Sequence, residues 1–327
     1  MQNSTVLVTG GSGLIGTHLI KSLISEGSIV ISLARSYPLQ TLGIVPEYPG
    51  ACFQIEGDIR NQALLEEIFA NHQPTHLVHL AAQPIVGSAL ENAEPTFDIN
   101  IRGTWLLLEA ARKYGKLRSI VIASSDKAYG QQNTLPYREN FELKAKYPYD
   151  VSKQATEQLA MSYYHTHGLP ISITRCGNTF GAYDLNFSRI VPGTILSCLK
   201  NEDIIIRSSG RLQRCYVYAE DVADAYLRLL TAPQERVAGQ AFNVGNPTAT
   251  SVIDIVKNIQ QTIPESQSRI VIQNQVFGEI EHQSLDSSKI ASILGWQPRS
   301  PLYQALEKTV AWYRSYRCMQ SQPPRKP

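Results

Sequence analysis

Short apolar runs alternate with longer amphipathic segments through the first half of the chain. The runs are rich in Val, Ile and Leu, as buried parallel strands require. They lie at 5–9, 28–33, 51–56, 76–80, 119–123 and 171–174. Helical patterns lie between them, at 14–26, 63–71, 96–114 and 149–166. This alternation predicts an α/β fold, a doubly wound parallel sheet with helices on both faces.

The second half of the chain has a less regular pattern. Short apolar runs at 204–206 and 215–218 predict strands, and 178–189 reads as a loop. Helical patterns are at 190–200, 221–230, 252–261, 287–294 and 302–316. The segment from Gln320 holds three prolines and two basic residues, and we expect it to be frayed.

A glycine-rich turn joins the first strand to the first helix. It reads Gly10-Gly11-Ser12-Gly13-Leu14-Ile15-Gly16. Such glycines permit a tight turn and a close approach of backbone to a pyrophosphate, whose charge the helix N-terminus favours. The spacing departs from the commoner G-x-G-x-x-G, because Gly10, Gly13 and Gly16 are each three residues apart. We predict a dinucleotide site that includes Gly10, Gly13, Leu14, Ile15 and Gly16.

A second motif begins after the fifth apolar run, with Ser124-Ser125-Asp126-Lys127, and ends with Tyr149 and Lys153. Tyrosine and lysine four apart share one face of a helix. An ammonium beside a phenol favours the phenolate, so Tyr149 is predicted to be a general base. The Ser125 hydroxyl is suited to hold the substrate oxygen that loses its proton. Alone this spacing also fits an ordinary amphipathic helix; the dinucleotide site upstream makes it significant.

Several further motifs accompany these two, and together they resemble one family. They are Gly57-Asp58, His79-Leu80-Ala81-Ala82-Gln83, Asn100, Arg175-Cys176-Gly177-Asn178 and Arg214-x-Tyr216-Val217-Tyr218-x-x-Asp221. The chain resembles the extended short-chain dehydrogenases/reductases, the family of nucleotide-sugar epimerases and dehydratases. The resemblance implies a Rossmann domain at 1–176, which part of 215–245 joins, and a smaller C-terminal substrate-binding α/β domain at 177–327. It also implies a homodimer, with the helices at 96–114 and 149–166 at its interface.

The resemblance further implies a tightly bound NAD or NADP. Its site would add Ile59, Leu80, Ala81, Ala82, Asn100, Tyr149 and Lys153 to the glycine loop. The second strand is followed by Arg35 where NAD sites usually carry an acid, which favours NADP; an ordinary solvated arginine is the alternative. Asp58 would accept from the adenine amino group, or cap a helix.

Residues of the second half are expected to hold a nucleotide-sugar substrate. By resemblance, Asn178 and Arg214 meet its diphosphate, and Arg189 belongs to the same site. A guanidinium matches a phosphate edge with two parallel hydrogen bonds. Asn178 could equally cap a turn, and Arg214 could form a surface salt bridge, for example with Glu220.

The pair Asp126-Lys127 distinguishes this chain within the family. Many 4,6-dehydratases have an acid at the first of these two positions. The pair Asp-Lys resembles the pair that CDP-glucose 4,6-dehydratases have there. The reaction so implied oxidises C4 transiently, eliminates water across C5–C6 and returns the hydride to C6, giving a 4-keto-6-deoxy sugar. Asp126 would be the acid and Lys127 the base. The alternative for Asp126 and Lys127 is a structural ion pair. The alternatives for the whole protein are a nucleotide-sugar 4-epimerase, a 4-keto reductase or a non-catalytic NADP-sensing regulator.

Composition excludes several other classes of protein. The 327 residues carry a net charge of +2 and are 43% hydrophobic, which fits a globular enzyme and disfavours a nucleic-acid partner. No apolar run is long enough to span a membrane, and the early first strand leads us to expect no signal peptide. Five scattered cysteines favour a reduced, cytoplasmic protein. We interpret His72, His76 and His79 as structural and expect no metal.

Overall fold

The computed structural model describes residues 1–37, 50–275 and 280–320, without the side chains of 319 and 320. Seven parallel strands form the main sheet in the order β10-β6-β5-β4-β1-β2-β3. They are β1 Thr5–Thr9, β2 Ile29–Ala34, β3 Cys52–Glu56, β4 His76–His79, β5 Ser119–Ala123, β6 Ile171–Cys176 and β10 Gln240–Val244. The predicted doubly wound parallel sheet is therefore confirmed.

Helices cover both faces of this sheet and build the C-terminal part. In the first half they are α1 Leu14–Ser25, α2 Gln62–His72, α3 Val86–Glu91, α4 Ala93–Phe97, α5 Gly103–Tyr114 and α6 Pro148–His167. In the second half they are α7 Ile190–Lys200, α8 Ala219–Thr231, α9 Gln234–Val237, α10 Val252–Gln261, α11 Ser288–Leu294 and α12 Leu302–Gln320. The predicted helices are found within a few residues of their expected positions, except around residue 100, and the short helices α3 and α9 were not predicted.

Alternate residues of the central strands pack into two separate hydrophobic cores, one on each face of the sheet. Val6 and Val8 pack with α1 and α8 on one face of the sheet, while Leu7 packs with α2 and α5 on the other. All three are fully buried, because helices cover both faces and every strand side chain meets one of them. This explains why the strands read as continuous apolar runs rather than as an alternation.

The long helix predicted at 96–114 is interrupted by a wider turn. Residues Asp98–Arg102 form a π-helical turn between α4 and α5, with right-handed helical backbone on both sides. Such a turn inserts one extra residue into a helix and often marks a functional site. Here it carries the buried Asn100.

The C-terminal part adds two small sheets beside the main one. One has the order β11-β9-β7, built from β7 Asn178–Phe180, β9 Gln213–Tyr218 and β11 Ala249–Ser251. The other pairs β8 Ile204–Ile206 with β12 Ile270–Ile272. The sequence predicted a loop at 178–189, and β7 occupies its first three residues because Asn178 pairs in parallel with Tyr216 of β9.

Asp221 ties the C-terminal helices to the sheet. Its carboxylate accepts from the backbone N–H groups of Arg299 and Ser300 at 3.2 Å each, and its carbonyl accepts from Trp296 Nε1. Trp296 itself is buried against α8. Asp221, the last residue of the Arg214–Asp221 motif, therefore has a structural role, because it fixes the chain between α11 and α12.

The segment 281–286 runs back across the molecule to the region after β5. His282 pairs with Gln213 of β9, and Leu285 pairs with Tyr137. The backbone N–H of Leu285 donates to Cys215 Sγ at 3.3 Å. A part of the chain far away in sequence is thus fixed beside the Asp126-Lys127 motif.

Two sequence-based expectations fall outside the described residues. They are the connection between the strands predicted at 28–33 and 51–56, of which residues 38–49 are not described, and the segment beyond Gln320. Within the described ranges, none of the helices combines the length and apolar character needed to cross a membrane. Cys52, Cys176, Cys198 and Cys215 are buried free thiols, and Cys318 is an exposed one.

Candidate active site

A cavity of about 880 Å³ lies at the carboxyl ends of the parallel strands. Ligands of open α/β sheets bind at this edge, where the strand order reverses. Gly10, Asp58, Ala81 and Ser124 each follow a strand, and all four line the cavity as predicted. Residues of the second half, including Asn178 and Arg189, close its other side.

The glycine loop forms one end of the cavity. Gly10 has φ +75°, and a Cβ on it would lie 2.7 Å from the backbone nitrogen of Ala81. Gly13 is the N-cap of α1 and has no side-chain cap, and no acidic residue occupies the first turn. The first N–H groups of α1 are therefore free of side-chain acceptors and suit a diphosphate. Leu14, Ile15 and Gly16 also line this end, which fits a dinucleotide.

Charged residues surround the ends of β2 and β3. Asp58 is ion-paired with Arg60, which also binds Asp98. The hydrogen bond from Arg60 lowers the pKa of Asp58 to about 2, and Arg35 acts in the same direction. Arg35 is exposed and lines the cavity. This position is compatible with a contact to a 2′-phosphate and with an ordinary solvated arginine, the two interpretations made from the sequence.

The helix-cap alternative for Asp58 is wrong. The chain makes a further turn after Asp58, and Asn61 caps α2 by accepting from Leu64 N at 3.2 Å. Ile59, between these residues, is buried against Gly103 and lines the cavity. Leu80, Ala81 and Ala82 line it as well.

Asn100 lies behind the cavity wall rather than on it. Its side chain accepts from Gln83 N at 2.7 Å and donates to Ser152 Oγ at 2.9 Å. The Ser152 hydroxyl in turn donates to the carbonyl of Tyr149 at 2.7 Å. The structure thus gives Asn100 a role as a brace between the loop after β4 and the helix that carries Tyr149 and Lys153.

Ser125, Tyr149 and Lys153 come together on the cavity wall. Burial raises the pKa of Tyr149 to about 12, and a hydrogen bond with the Ser125 side chain acts against that rise. Lys153 Nζ donates to the carbonyl of Ala123 at 3.0 Å, and burial lowers the pKa of Lys153 to about 8. The pKa of Tyr149 is therefore raised in the protein alone, contrary to the expected lowering, because desolvation is the largest effect on it.

Asp126 and Lys127 lie next to this group, at the start of a short 3₁₀ turn, Asp126–Tyr129. Ser125 Oγ donates to Asp126 Oδ1 and accepts from Lys127 N, each at 3.2 Å. Lys127 Nζ lies 3.7 Å from Asp126 Oδ2 and also donates to Gln283 Oε1. The two residues form the ion pair of the structural alternative, and both line the cavity, while their chemical role stays a prediction.

A buried ion pair supports this group from behind. Arg175 on β6 binds Glu157 on α6 at 2.7 Å, and the side chains are 7% and 5% exposed. Ser124 Oγ donates to the same carboxylate. Glu157 is four residues after Lys153, on the same face of α6. The pair thereby fixes the end of β5, where Ser125 begins, against the helix that carries Tyr149.

The three predicted substrate residues are placed differently. Asn178 and Arg189 line the cavity, and Arg189 donates to the buried carboxylate of Asp184 at 3.0 Å. Arg214 is buried, and its guanidinium donates to the carbonyls of Gln213 at 2.8 Å and Glu281 at 3.4 Å. It is not among the residues that line the cavity. The arrangement brings Asn178 and Arg189 to the site and gives Arg214 contacts with the returning C-terminal segment.

Sequence reasoning missed several residues of the site. Tyr183 lines the cavity with φ +70°, a left-handed conformation that is uncommon for a non-glycine residue and often marks a functional site. Its hydroxyl accepts from Lys21 Nζ at 2.7 Å. Glu157 and Gln283 were also missed. The four-residue step from Lys153 could have indicated Glu157, whereas nothing local connects Gln283 with Lys127.

Two of the three histidines predicted to be structural, His76 and His79, are held by hydroxyl groups. His79 bonds Thr9 Oγ1 at 2.7 Å and Thr104 Oγ1 at 2.9 Å, and burial lowers its pKa to about 3. His76 bonds Thr75 Oγ1 at 2.8 Å, and burial lowers its pKa to about 4. Across the described part of the chain, no group of three or more His, Cys, Asp or Glu residues could hold a metal ion.

Known proteins resemble this chain along most of its length. It is 31% identical to the dTDP-glucose 4,6-dehydratase 1 of Escherichia coli K12 over 339 aligned residues, covering 95% of this chain and 92% of that protein. The solved dTDP-glucose 4,6-dehydratase of Streptomyces venezuelae, with NAD bound, is 26% identical with a TM-score of 0.87, covering 96% of this chain and 98% of its own.

A second solved structure has a different reaction in its name. The UDP-glucose 4-epimerase of Thermotoga maritima, with UDP-glucose, is 27% identical with a TM-score of 0.87, covering 95% of this chain and 99% of its own. The family match itself extends over residues 6–245 and includes the glycine loop and every catalytic candidate. With this match and the cavity geometry, the chain belongs to the NAD dependent epimerase/dehydratase family.

Proposed function

We propose that this protein is a nucleotide-sugar 4,6-dehydratase that converts a nucleoside-diphosphate hexose into its 4-keto-6-deoxy product. One observation carries the proposal: Asp126 and Lys127 are adjacent on the cavity wall, next to Ser125 and Tyr149. A 4-epimerase needs only the groups that act at C4. An acid and a base beside them suit the removal of water from C5 and C6.

The first proton transfer belongs to Tyr149 and Ser125. Ser125 holds the C4 hydroxyl, and Tyr149 accepts its proton. Tyr149 needs a positive charge nearby to do so near neutral pH, because burial raises its pKa to about 12. The nicotinamide dinucleotide, when bound, supplies a positively charged ring that takes the C4 hydride and later returns it to C6. The glycine loop, Ile59 and Ala81 are suited to hold this cofactor.

The elimination belongs to Lys127 and Asp126. The ketone at C4 makes the C5 proton acidic, and Lys127 in its neutral form removes it. The C6 hydroxyl leaves with a proton from Asp126, so that one water molecule is released. The side chain of Asp126 is 3% exposed and lines the cavity, where a positioned carboxyl can act as the acid.

Two features of the cavity support a diphosphate-containing substrate and NADP as the cofactor. Asn178 and Arg189 offer an amide and a guanidinium to a diphosphate. Arg35 lines the cavity at the end of β2 with no acid beside it in sequence, which favours NADP, although the Streptomyces venezuelae relative was solved with NAD. Affinities of wild type and Arg35→Ala for NAD and NADP decide this point: a loss confined to NADP supports the phosphate contact.

The decisive experiment offers the protein CDP-, UDP-, GDP- and dTDP-hexoses and analyses the products. A dehydratase yields a 4-keto-6-deoxy sugar from at least one of them. A 4-epimerase interconverts C4 stereoisomers without loss of water, a 4-keto reductase leaves these hexoses unchanged, and a non-catalytic regulator binds without turnover.

Three variants test the assigned roles with the accepted hexose. Tyr149→Phe should abolish turnover and leave substrate binding largely intact. Lys127→Met should slow dehydration and solvent deuterium exchange at C5 by roughly 10²–10⁴-fold, the usual contribution of one positioned base, while C4 oxidation continues. Lys113→Met, at an exposed lysine paired with Glu66, is the control and should act as wild type. Full dehydration by Lys127→Met would mean that another residue is the base.

A further inference from the structure

Gln283 occupies an unusual position for a polar side chain. It is 1% exposed, and its Oε1 accepts a hydrogen bond from Lys127 Nζ. Its Nε2 is buried and has no hydrogen-bond partner among the described residues. A buried donor without a partner is unfavourable, so packing alone would favour an apolar side chain here. The hydrogen bond between its Oε1 and Lys127 offsets part of this cost.

The backbone around Gln283 is firmly held. Gln283 N donates to the carbonyl of Gln213 at 3.1 Å, and Gln213 N donates to the carbonyl of Glu281 at 2.8 Å. On the other side, Tyr137 N donates to the carbonyl of Ser284 at 2.7 Å. The amide oxygen is thus presented to Lys127 from a rigid, strand-like segment, as a positioning group requires.

Several charged or titratable groups lie around Lys127, and the amide of Gln283, which carries no charge, also contacts it. Asp126 lies 3.7 Å away on the same turn. Asp150, on α6, and Cys215, on β9, both sense the charge of Lys127. A carboxylate in place of Gln283 would favour the protonated ammonium over the neutral amine that a base must be. An amide oxygen instead orients the amine without adding negative charge.

We propose that Gln283 is a positioning residue for Lys127, which accepts a hydrogen bond from its amine and so holds that amine at the cavity wall. The inference rests on the proposed dehydratase function and deepens it. It also assigns a purpose to the returning segment 281–286, which links the C-terminal part of the chain to the chemistry at C5.

The test compares two substitutions of Gln283 with a matched packing variant. Gln283→Met keeps the volume and removes the acceptor. It should slow C5 deuterium exchange and dehydration by roughly 10-fold or more, without changing C4 oxidation or substrate affinity. Gln283→Glu should slow C5 deuterium exchange and dehydration at neutral pH, and both rates should recover at higher pH. The pH profile of each rate should move to alkaline pH by about one unit or more. Leu285→Val, in the same segment, loosens packing only and should lower Tm without altering either pH profile.

The outcomes separate the two claims. If the wild type makes no 4-keto-6-deoxy sugar from any of the four nucleotide hexoses, the proposed function fails, and this inference with it. If the wild type makes one and both Gln283 variants dehydrate with wild-type rates and pH profiles, the inference alone is wrong. It is equally wrong if Gln283→Met slows oxidation and elimination alike and lowers Tm as Leu285→Val does, because that is a packing effect.

Discussion

At the scale of single residues, the sequence predicted side chains whose chemistry depends on near neighbours. Ser125, Asp126 and Lys127 are consecutive, and Tyr149 and Lys153 are one helical turn apart, so their placement on one wall follows from local structure. The sequence could not predict the pKa of Tyr149, which is raised to about 12 because burial outweighs charge. It could not predict Gln283 either, because that contact depends on how the whole chain folds.

Asp150 permits a prediction about pH and stability. It is 5% exposed, and burial raises its pKa to about 6 from a usual 3.8, with Asp126 acting in the same direction and Lys127 against it. An acid whose pKa is raised by folding destabilises the folded state once pH rises through the unfolded value towards the folded one. Asp150→Asn removes this effect. Its free energy of unfolding, relative to wild type, should increase by about 1–3 kcal/mol between pH 4 and pH 7.

Urea denaturation of both proteins at several pH values from 4 to 7.5 measures this difference. The gain should develop between about pH 4 and pH 6 and stay constant above that. A relative stability that does not change with pH would show that Asp150 is not the group responsible.

At the scale of elements, periodicity predicted the strands and most helices because each has one consistent apolar pattern. It missed the π-helical turn at Asp98–Arg102, which arises where Asn100 turns inward to bind Gln83 and Ser152. It also missed β7, whose three residues are too few to show a period and which forms only by pairing with β9. Both depend on tertiary partners that the sequence does not reveal locally.

The loop between β1 and α1 is predicted to require glycine for two separable reasons. Gly10→Ala would place a left-handed alanine with its Cβ 2.7 Å from the backbone of Ala81. Gly27→Ala, with φ +79° and nothing nearer than 3.5 Å, has the same strain without the clash. We expect Gly27→Ala to cost about 1 kcal/mol of stability. Gly10→Ala should cost more and also weaken nicotinamide dinucleotide binding at least tenfold, as measured by calorimetry; equal effects of both changes on binding would contradict this.

The contact between β6 and α6 should depend strongly on the Arg175–Glu157 pair. Glu157→Gln leaves a buried guanidinium without its counter-charge, which typically costs about 3–5 kcal/mol. Asp203→Asn, in the exposed pair with Arg269, is the matched control and should cost less than about 1 kcal/mol. Denaturation in urea compares them. A loss at Glu157 no greater than that at Asp203 would mean that solvent reaches the pair.

At the scale of the whole molecule, the parallel sheet followed from the strand-helix alternation, whereas the division into domains at residue 176 stays a prediction. β10 lies in the main sheet beside β6, although it is far along the chain. Two neighbouring residues of the helix predicted at the interface differ in exposure. Leu106 is buried in the core of its own chain, whereas Trp105 is 49% exposed.

The homodimer remains a prediction, and Trp105 is the residue that tests it. Trp105→Lys puts a charge on the exposed face of α5, where a second copy is expected to pack. It should convert a dimer into a monomer at micromolar concentration, as seen by light scattering. Phe53→Lys, at a similarly exposed aromatic residue on β3, should leave the assembly unchanged. A wild type that is already monomeric would refute the expectation.

The return of segment 281–286 affects how the enzyme is made as well as how it works. A ribosome synthesises the chain from its N-terminus, and domains generally fold in that order. The strands β1 to β6 and the Tyr149 helix can emerge and assemble long before Gln283 leaves the exit tunnel. Lys127 therefore meets Gln283, its proposed positioning residue, only near the end of synthesis. On the proposed function, catalytic competence is thus reached late, after most of the cavity wall has been synthesised.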